Sequence, residues 1–247
     1  MSRPPISLQL YTVRDALKAD PIGTLEKIAA LGYEGIETGI DNSEEFLAKA
    51  RQLNLPVTGA HVGIDALKSN LEGVISGCQK MECSFAILSY VDESYRGSAE
   101  NWQNLGKFLD EAGQKLHEAG ITLCYHNHDF EFEQFDGQYG LDLLLEAASP
   151  QYLQAELDTY WVQKGGANPV EYIRKYAGRI PVLHIKDITP GGNFAEVGEG
   201  TLDWPAIFAA AEAQGVTTYI VEQDTCPGDP FDSIAISIEN LRKMGKI

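Results

Sequence analysis

The segment LQAELD, residues 153–158, alternates apolar and polar side chains, and this alternation points to the fold. Successive side chains of a β-strand point to opposite faces. One face of this strand therefore carries Leu153, Ala155 and Leu157, and the other carries Gln154, Glu156 and Asp158. Such a strand suits a barrel, in which one face contacts the surrounding helices and the other faces the interior.

The same kind of strand recurs along the chain and alternates with amphipathic helical stretches. Strands are predicted at residues 6–12, 35–38, 57–61, 85–90, 121–126, 153–158, 182–186 and 218–223. Helices are predicted to start at Asp20-Pro21 and at Ser43, and to cover 65–80, 100–119, 141–148, 169–176, 204–214 and 231–244. Eight strand–helix units in 247 residues predict a single α/β domain over residues 1–247, a (β/α)8 TIM barrel.

An open, doubly wound sheet is the main alternative architecture. Such sheets often carry a glycine-rich phosphate loop after the first strand, but residues 11–15 read YTVRD and contain no glycine. The dinucleotide-binding fingerprint is therefore absent, and the barrel is the favoured fold.

Composition narrows the classes of partner. The formal net charge of −17 opposes binding to nucleic acids and to anionic membrane surfaces. The four cysteines, Cys78, Cys83, Cys124 and Cys226, form no CxxC pair, which argues against a disulfide scaffold and a structural zinc site. No signal peptide or membrane span is evident, so we expect a cytoplasmic protein. A homodimer is the default assembly.

The inward-facing positions of the last four strands carry the polar residues of interest. By the same alternation, His126, Asp158, His184 and Glu222 point inward near the carboxyl ends of their strands, where TIM barrels place their active sites. Buried charges are costly unless paired or bound to metal. These four residues are therefore predicted to hold one divalent cation. Oxygen and imidazole donors without thiolate favour Mn²⁺, with Mg²⁺, Co²⁺, Zn²⁺ or Fe²⁺ as alternatives.

Further polar and aromatic residues near the same rim are candidates for substrate contact. Lys186 is predicted to contact a substrate oxygen, or else to pair with Asp187 or Glu156. His128 and Glu131 follow the fifth strand and are expected over the barrel mouth. The remaining substrate-binding candidates are Glu37, His61 and Trp161, although an internal polar pair and simple packing are their alternative roles.

Eight segments resemble one known family, and together they extend over nearly the whole chain in order. They are SLQLYTVRD from Ser7, GYEGIET from Gly32, GAHVG from Gly59, YHNHDFEF from Tyr125, ELDTYWV from Glu156, LHIKD from Leu183, VGEGTLDW from Val197 and VEQD from Val221. In these segments the chain is similar to the sugar phosphate isomerase/epimerase family of xylose isomerase-like TIM barrels.

The resemblance implies a metal held by a carboxylate, an Asp, a His and a Glu from strands five to eight. Asp158, His184 and Glu222 match three of these ligands, whereas the strand-five position holds His126 where ketose epimerases present Glu. Either His126 replaces that ligand, or Glu131 reaches back, or water fills the place. The departure puts the two-carboxylate epimerase mechanism in doubt.

The principal functional expectation is a divalent-metal-dependent isomerase or epimerase that acts on a sugar or sugar derivative. Glu222 is the expected base, with Glu131, His126 or His128 as its acid/base partner. A lyase, dehydratase or hydrolase acting on a keto-sugar or inosose shares the first step and is the alternative enzyme. A DNA-repair nuclease on the same fold is opposed by the acidic charge. A non-enzymatic sugar-binding barrel is the remaining alternative.

Overall fold

A computed structural model describes residues 3–247. Its central feature is a closed barrel of eight parallel strands in the order β1-β8-β7-β6-β5-β4-β3-β2. The strands are β1 Ile6–Gln9, β2 Gly35–Gly39, β3 Val57–Val62, β4 Phe85–Leu88, β5 Thr122–His126, β6 Leu153–Asp158, β7 Val182–Ile185 and β8 Thr218–Val221. This architecture confirms the predicted α/β TIM barrel.

Within residues 3–247, eleven helices follow or connect the barrel strands. They are α1 Arg14–Ala19, α2 Pro21–Leu31, α3 Glu44–Gln52, α4 Ile64–Ser69, α5 Leu71–Lys80, α6 Ala99–Glu118, α7 Gly140–Glu146, α8 Thr159–Lys164, α9 Pro169–Lys175, α10 Trp204–Gln214 and α11 Pro230–Lys243. Short 3-10 turns cover Leu10–Val13, Glu93–Tyr95 and Phe130–Phe132. No helix among residues 3–247 combines the length and apolarity needed to cross a bilayer.

Two predicted elements differ from the structure because a side chain interrupts the backbone pattern. The strand expected at residues 6–12 ends at Gln9, whose side-chain oxygen accepts a hydrogen bond from Tyr11 N at 3.1 Å and starts a 3-10 turn. The helix expected at 65–80 divides at Asn70, whose side chain accepts from Gly73 N and caps a second helix. Polar side chains that bond to their own backbone compete with regular structure.

The two faces of the strands separate as the alternation predicts. Leu153, Ala155 and Leu157 belong to the apolar core that packs the strands against the helices. Glu156 and Asp158, on the other face of β6, are fully buried in the barrel. The register places Asp158 beside His184, and His184 beside Ile220 of β8, so the polar ends of neighbouring strands lie at the same level.

A glycine in β3 makes room for one of the buried acids. Gly59 pairs with Glu37 of β2, and a Cβ atom on residue 59 would collide with Glu37 Oε2. The Glu37 carboxylate is fully buried and its Oε1 is held by Gln9 Nε2 at 2.8 Å and His184 Nε2 at 2.7 Å, so it cannot move aside without breaking these contacts. Gly59 is therefore needed for the carboxylate of Glu37 to lie inside the barrel.

Replacing Gly59 with alanine tests this packing. We expect Gly59→Ala to lower the free energy of unfolding by about 1–3 kcal/mol, because overpacking a closed interior forces neighbouring atoms to move. Urea denaturation followed by circular dichroism measures the change. Gly228→Ala is the matched control, since no atom lies within 4 Å of its added Cβ and its φ angle is not positive. Equal stability of the two variants would contradict the packing argument.

Candidate active site

Four side chains converge at the carboxyl end of the barrel, three of them from β5, β6 and β7 and the fourth from the residue after β8. His184 Nδ1 lies 3.2 Å from Glu222 Oε2 and 3.8 Å from Asp158 Oδ2, and His126 Nε2 lies 4.0 Å from the same Asp158 oxygen. One ligand atom of each residue lies within 4.8 Å of the others. All four side chains are buried, and the structure thus brings together the four residues predicted to hold a metal.

The donor atoms of this cluster fit a divalent cation. Asp158 Oδ2 is buried and makes no hydrogen bond, and the Lys186 ammonium lies 3.3 Å from it, so this oxygen favours a cation beside it. Two imidazole nitrogens and two carboxylates form a donor set used by Mn²⁺, Zn²⁺ and related ions. His126, Asp158, His184 and Glu222 are therefore able to hold a metal ion, and the cluster does not require a carboxylate from β5.

Two further carboxylates orient the histidines from deeper in the barrel. Glu156 Oε2 lies 3.0 Å from His126 Nδ1 and 3.1 Å from His184 Nε2, and Glu37 Oε1 lies 2.7 Å from His184 Nε2. A proton on each of these nitrogens would satisfy the inner carboxylates and leave the opposite nitrogen free as a ligand. Such carboxylate–histidine pairs are a common way to fix the tautomer of a metal ligand.

A second grouping of ligand atoms uses His61, His126, Glu156 and His184. These groups already contact one another or Glu37: His61 Nε2, for example, lies 2.8 Å from Glu37 Oε1. The outer grouping contains the Asp158 oxygen that accepts no hydrogen bond and also Glu222, which lines the open cavity. We therefore place the candidate metal centre at the outer grouping and regard the inner one as its support.

The buried acids create a field that favours positive charge. Burial by itself would lower the pKa of His184, but the carboxylates of Glu156 and Glu37 raise it well above the usual value. Burial raises the pKa of Asp158 to about 7, against the opposing effects of Lys186 and His184. The shift of His184 has the sign expected beside excess negative charge, and that of Asp158 the sign expected of a buried carboxyl; a cation at the cluster would offset both causes.

A cavity of about 550 Å³ opens beside the cluster and is large enough for a sugar-sized ligand. Its lining residues are Gln9, Leu10, Tyr11, Arg14, Leu17, Thr38, Gly39, His61, Ser89, Tyr90, His126, His128, Glu222 and Asp224. Of the predicted site residues, His61, His126, His128 and Glu222 therefore face the cavity. The other predicted site residues do not line it: Glu37, Glu131, Asp158, Trp161, His184 and Lys186.

Lys186 is fully buried and contacts the carboxylates of the cluster. Its Nζ atom lies 2.9 Å from Glu222 Oε2, 3.3 Å from Asp158 Oδ2 and 3.1 Å from Asp224 Oδ1. Lys186 does not pair with Asp187 or Glu156, which was the alternative predicted for it. Asp187 accepts a hydrogen bond from Trp204 Nε1, and Glu156 contacts His184. Trp161 lies to one side, with its ring 5.4 Å from the ammonium.

Glu131 does not reach the cluster, although we expected it near the substrate. Its two carboxylate oxygens accept hydrogen bonds from Tyr125 OH at 2.7 Å and from His128 N at 2.8 Å. Burial raises the pKa of Glu131 to about 8. Glu131 therefore fixes the backbone of His128. Because its side chain is turned toward Tyr125, on the helix-facing side of β5, the ligand position on this strand is left to His126.

Sequence reasoning missed several residues that position the site. Glu156 is one of them, although the alternation of β6 already places its side chain in the barrel interior and so indicates a role near the cluster. Asn127 accepts a hydrogen bond from Asp158 N at 2.9 Å and so fixes a candidate ligand from the neighbouring strand. No local pattern identifies this contact, because it depends on how β5 and β6 are aligned.

Asp187 organises the loop that follows β7. Its carboxylate accepts hydrogen bonds from the backbone of Ile188, Gly198, Gly200 and Leu202 and from Trp204 Nε1. The loop returns Phe194 over the site, where its ring lies 5.2 Å from Lys186 Nζ. Asp187 therefore holds one wall of the site in place although it does not face the cavity.

The fold and the cluster define the class of protein, a (β/α)8 barrel with a candidate divalent-metal centre at the carboxyl ends of its strands. The family model described as xylose isomerase-like TIM barrel matches residues 25–244. The chain belongs to this family.

Curated relatives and solved structures agree with that assignment. The inosose dehydratase of Geobacillus kaustophilus is 24% identical over 89% of this chain and 86% of its own length. A sugar phosphate isomerase/epimerase from Parabacteroides distasonis superposes with a TM-score of 0.86 at 22% identity, covering 100% of this chain and 96% of its own. The zinc-bound IOLI protein gives a TM-score of 0.75 at 16% identity, covering 98% and 97%. These structural likenesses show the fold.

The support given by Glu156 can be measured as metal affinity. We expect Glu156→Gln to weaken Mn²⁺ or Zn²⁺ binding by about 10–100-fold, because a neutral amide replaces the charged carboxylate that orients His126 and His184. Competition with a chelating indicator measures the dissociation constant, and circular dichroism checks the fold. Glu45→Gln, on an exposed helix face, is the control. Unchanged affinity in a folded Glu156 variant would remove the supporting role.

Proposed function

We propose that the protein is a divalent-metal-dependent lyase that acts on a keto-sugar or inosose. It removes the proton from the carbon next to the carbonyl and expels an oxygen substituent from the following carbon. The observation that carries the proposal is the position of Glu222, a cavity-lining carboxylate with Lys186 Nζ at 2.9 Å and His184 Nδ1 at 3.2 Å. This arrangement supports a base on the cavity wall whose carboxylate is held from behind by two buried cationic or polar groups.

His126, Asp158, His184 and Glu222 would hold the metal. The ion would supply Lewis-acid polarisation of the substrate carbonyl, which acidifies the neighbouring C–H bond. Glu222 Oε2 faces His184 and Lys186, whereas its Oε1 accepts no hydrogen bond from residues 3–247. We assign Oε2 to the cation and Oε1 to the substrate proton.

The protonation state of Glu222 suits this task. Burial alone would raise the pKa of its carboxyl, but Lys186 and His184 hold it well below the usual value. The carboxylate is thus ionised at neutral pH and accepts the proton from carbon. Glu222, which lines the cavity, would return the proton to the departing oxygen, while Lys186 behind it would hold the carboxylate through the 2.9 Å contact with Oε2. For a hydroxyl substituent, the group that leaves is water.

The relatives favour elimination over isomerisation. Curated relatives that match this chain are named inosose dehydratase, an activity that removes water from a cyclic keto-polyol. The barrel also presents His126 and His128, and no carboxylate, on the β5 side of the cavity. The two-carboxylate arrangement of ketose epimerases is therefore not reproduced, so we place the lyase reaction ahead of the isomerase or epimerase expected from sequence.

Isomerisation or epimerisation is the second candidate, and His128 favours it. Burial, together with the positive charge of Lys186, lowers the pKa of His128 to about 3, so its ring is neutral at neutral pH. Its Nδ1 is buried without a hydrogen-bond partner. Proton return to another face requires a base on one side of the substrate and a protonated acid on the other. Glu222 on the β8 side would take the proton, and His128 on the β5 side would return one after it has itself been protonated from solvent.

Removal of the base is the first test of the mechanism. We expect Glu222→Gln to reduce kcat by about 10²–10⁴-fold, because the amide cannot accept the proton. Steady-state kinetics on the metal-loaded protein gives the value, and metal content is measured on the same sample so that lost metal is not mistaken for a lost base. Glu45→Gln should retain full activity. A folded, metal-replete Glu222→Gln variant with wild-type kcat would refute the role.

The product distinguishes the candidate functions. We expect incubation of the Mn²⁺-loaded protein with inosose and with keto-hexoses in D₂O to give a product that has lost one water, detected by mass spectrometry and proton NMR. A product of unchanged composition that has gained deuterium would establish isomerisation or epimerisation instead. Ligand binding without any change of the substrate, in metal-replete protein, would favour the sugar-binding barrel.

A further inference from the structure

One ammonium lies among three carboxylates at the edge of the candidate metal centre. Lys186 Nζ contacts Glu222 Oε2 at 2.9 Å and Asp158 Oδ2 at 3.3 Å, and it donates to both oxygens of Asp224, at 3.1 and 3.3 Å. The Lys186 side chain is 1% exposed, whereas that of Asp224 is 28% exposed. Asp224 thus forms the solvent-facing end of a buried charge network.

Lys186 and a divalent cation would use the same oxygen atoms. Glu222 Oε2 and Asp158 Oδ2 contact the ammonium, and these oxygens also face the histidine nitrogens of the metal cluster. Two positive charges at such short range repel strongly in a poorly solvated interior. The ammonium therefore opposes metal binding unless another anion holds it away from these two oxygens.

Asp224 is placed to be that anion. It lies two residues after Glu222 in the sequence. It does not belong to either group of side chains whose ligand atoms lie close enough together to hold one ion. Its two oxygens already accept from Lys186. The backbone of Lys186 is fixed by Thr159 Oγ1, which donates to its carbonyl at 2.8 Å and accepts from its N–H at 3.1 Å. Only the flexible side chain can move between the two sets of carboxylates.

We propose that Asp224 is a positioning residue that holds the Lys186 ammonium away from Asp158 and Glu222, and that this pair sets the affinity of the centre for its metal. The proposal rests on the proposed metal centre. Three carboxylates against one ammonium leave a formal charge of minus two, which one divalent cation neutralises while Lys186 stays paired with Asp224. Asp224 acts through Lys186 and does not ligate the ion.

A double-mutant cycle tests this coupling without a substrate. Lys186→Met, Asp224→Asn and the double variant are titrated with Mn²⁺ and with Zn²⁺ against a chelating indicator, and thermal unfolding is recorded with and without each metal. We expect Lys186→Met to tighten metal binding by about tenfold and Asp224→Asn to weaken it by about tenfold, since contacting charged groups couple strongly. In the Lys186→Met background, Asp224→Asn should change the affinity little, because no ammonium remains to be held.

Controls separate this coupling from a general effect of charge. Lys115→Met and Asp65→Asn alter net charge by the same amounts at exposed helix positions and should leave metal affinity unchanged. Lys186→Gln, which keeps a polar head group, serves as the second variant if Lys186→Met does not fold. The metal-induced rise in the melting temperature should follow the affinity in each variant.

Three outcomes would overturn the proposal. Equal weakening by Asp224→Asn with and without Lys186 would make Asp224 a metal ligand in its own right. Weaker binding in both Lys186 variants would show that the ammonium assembles the carboxylates and does not compete with the ion. Failure of the wild-type protein to bind either metal would refute the proposed metal centre itself. That result differs from normal metal binding by the wild type with independent effects of the two substitutions, which would refute only the coupling between Asp224 and Lys186.

Discussion

The site depends on the cost of burying carboxylates inside a closed barrel. Glu37, Glu156 and Asp158 are each fully buried, and Glu222 is nearly so. An isolated ionised carboxylate is strongly unfavourable in such surroundings, so each must face a cation or a hydrogen-bond donor. Histidines and Lys186 supply these partners within the barrel, while one oxygen of Asp158 remains without a hydrogen bond. The whole rim is organised around that excess of negative charge.

The excess negative charge of the buried carboxylates lies at two depths in the barrel. At the inner level, Glu37 and Glu156 engage one nitrogen of His184, and Glu156 also engages one nitrogen of His126. At the outer level, the other nitrogens of these histidines face Asp158, and that of His184 also faces Glu222, next to the cavity. The inner carboxylates thereby decide which nitrogen faces outward. This arrangement explains how a second histidine fits in the cluster, because Glu156 pairs with the His126 nitrogen that faces away from Asp158.

Membership of the xylose isomerase-like family defines the barrel and the place of the chemistry, but it does not define the reaction. The first step, loss of a proton beside a polarised carbonyl, is common to isomerases, epimerases and dehydratases. The second step differs among them, because it is set by the positions of proton donors and acceptors around the cavity. In this chain Glu222 lies on one side of the cavity with Lys186 behind it, and the β5 side carries imidazoles, one of which, His128, is fixed from behind by Glu131. These placements are the basis of the proposed elimination.

The sequence by itself determined the barrel, the inward-facing sets and the four residues of the candidate metal centre, because strand alternation has a period of two and is local. It did not show that Glu131 turns away, that Asn127 holds Asp158, or that Lys186 joins Asp224 and not Asp187. Glu131 lies in a turn after β5, where alternation no longer applies. The other contacts cross between strands or loops, so they exist only once the register and barrel closure bring those segments together. Tertiary structure decided these contacts. The direction of a side chain follows from the local conformation of its own strand, whereas its partner depends on which other segments the closed barrel brings beside it.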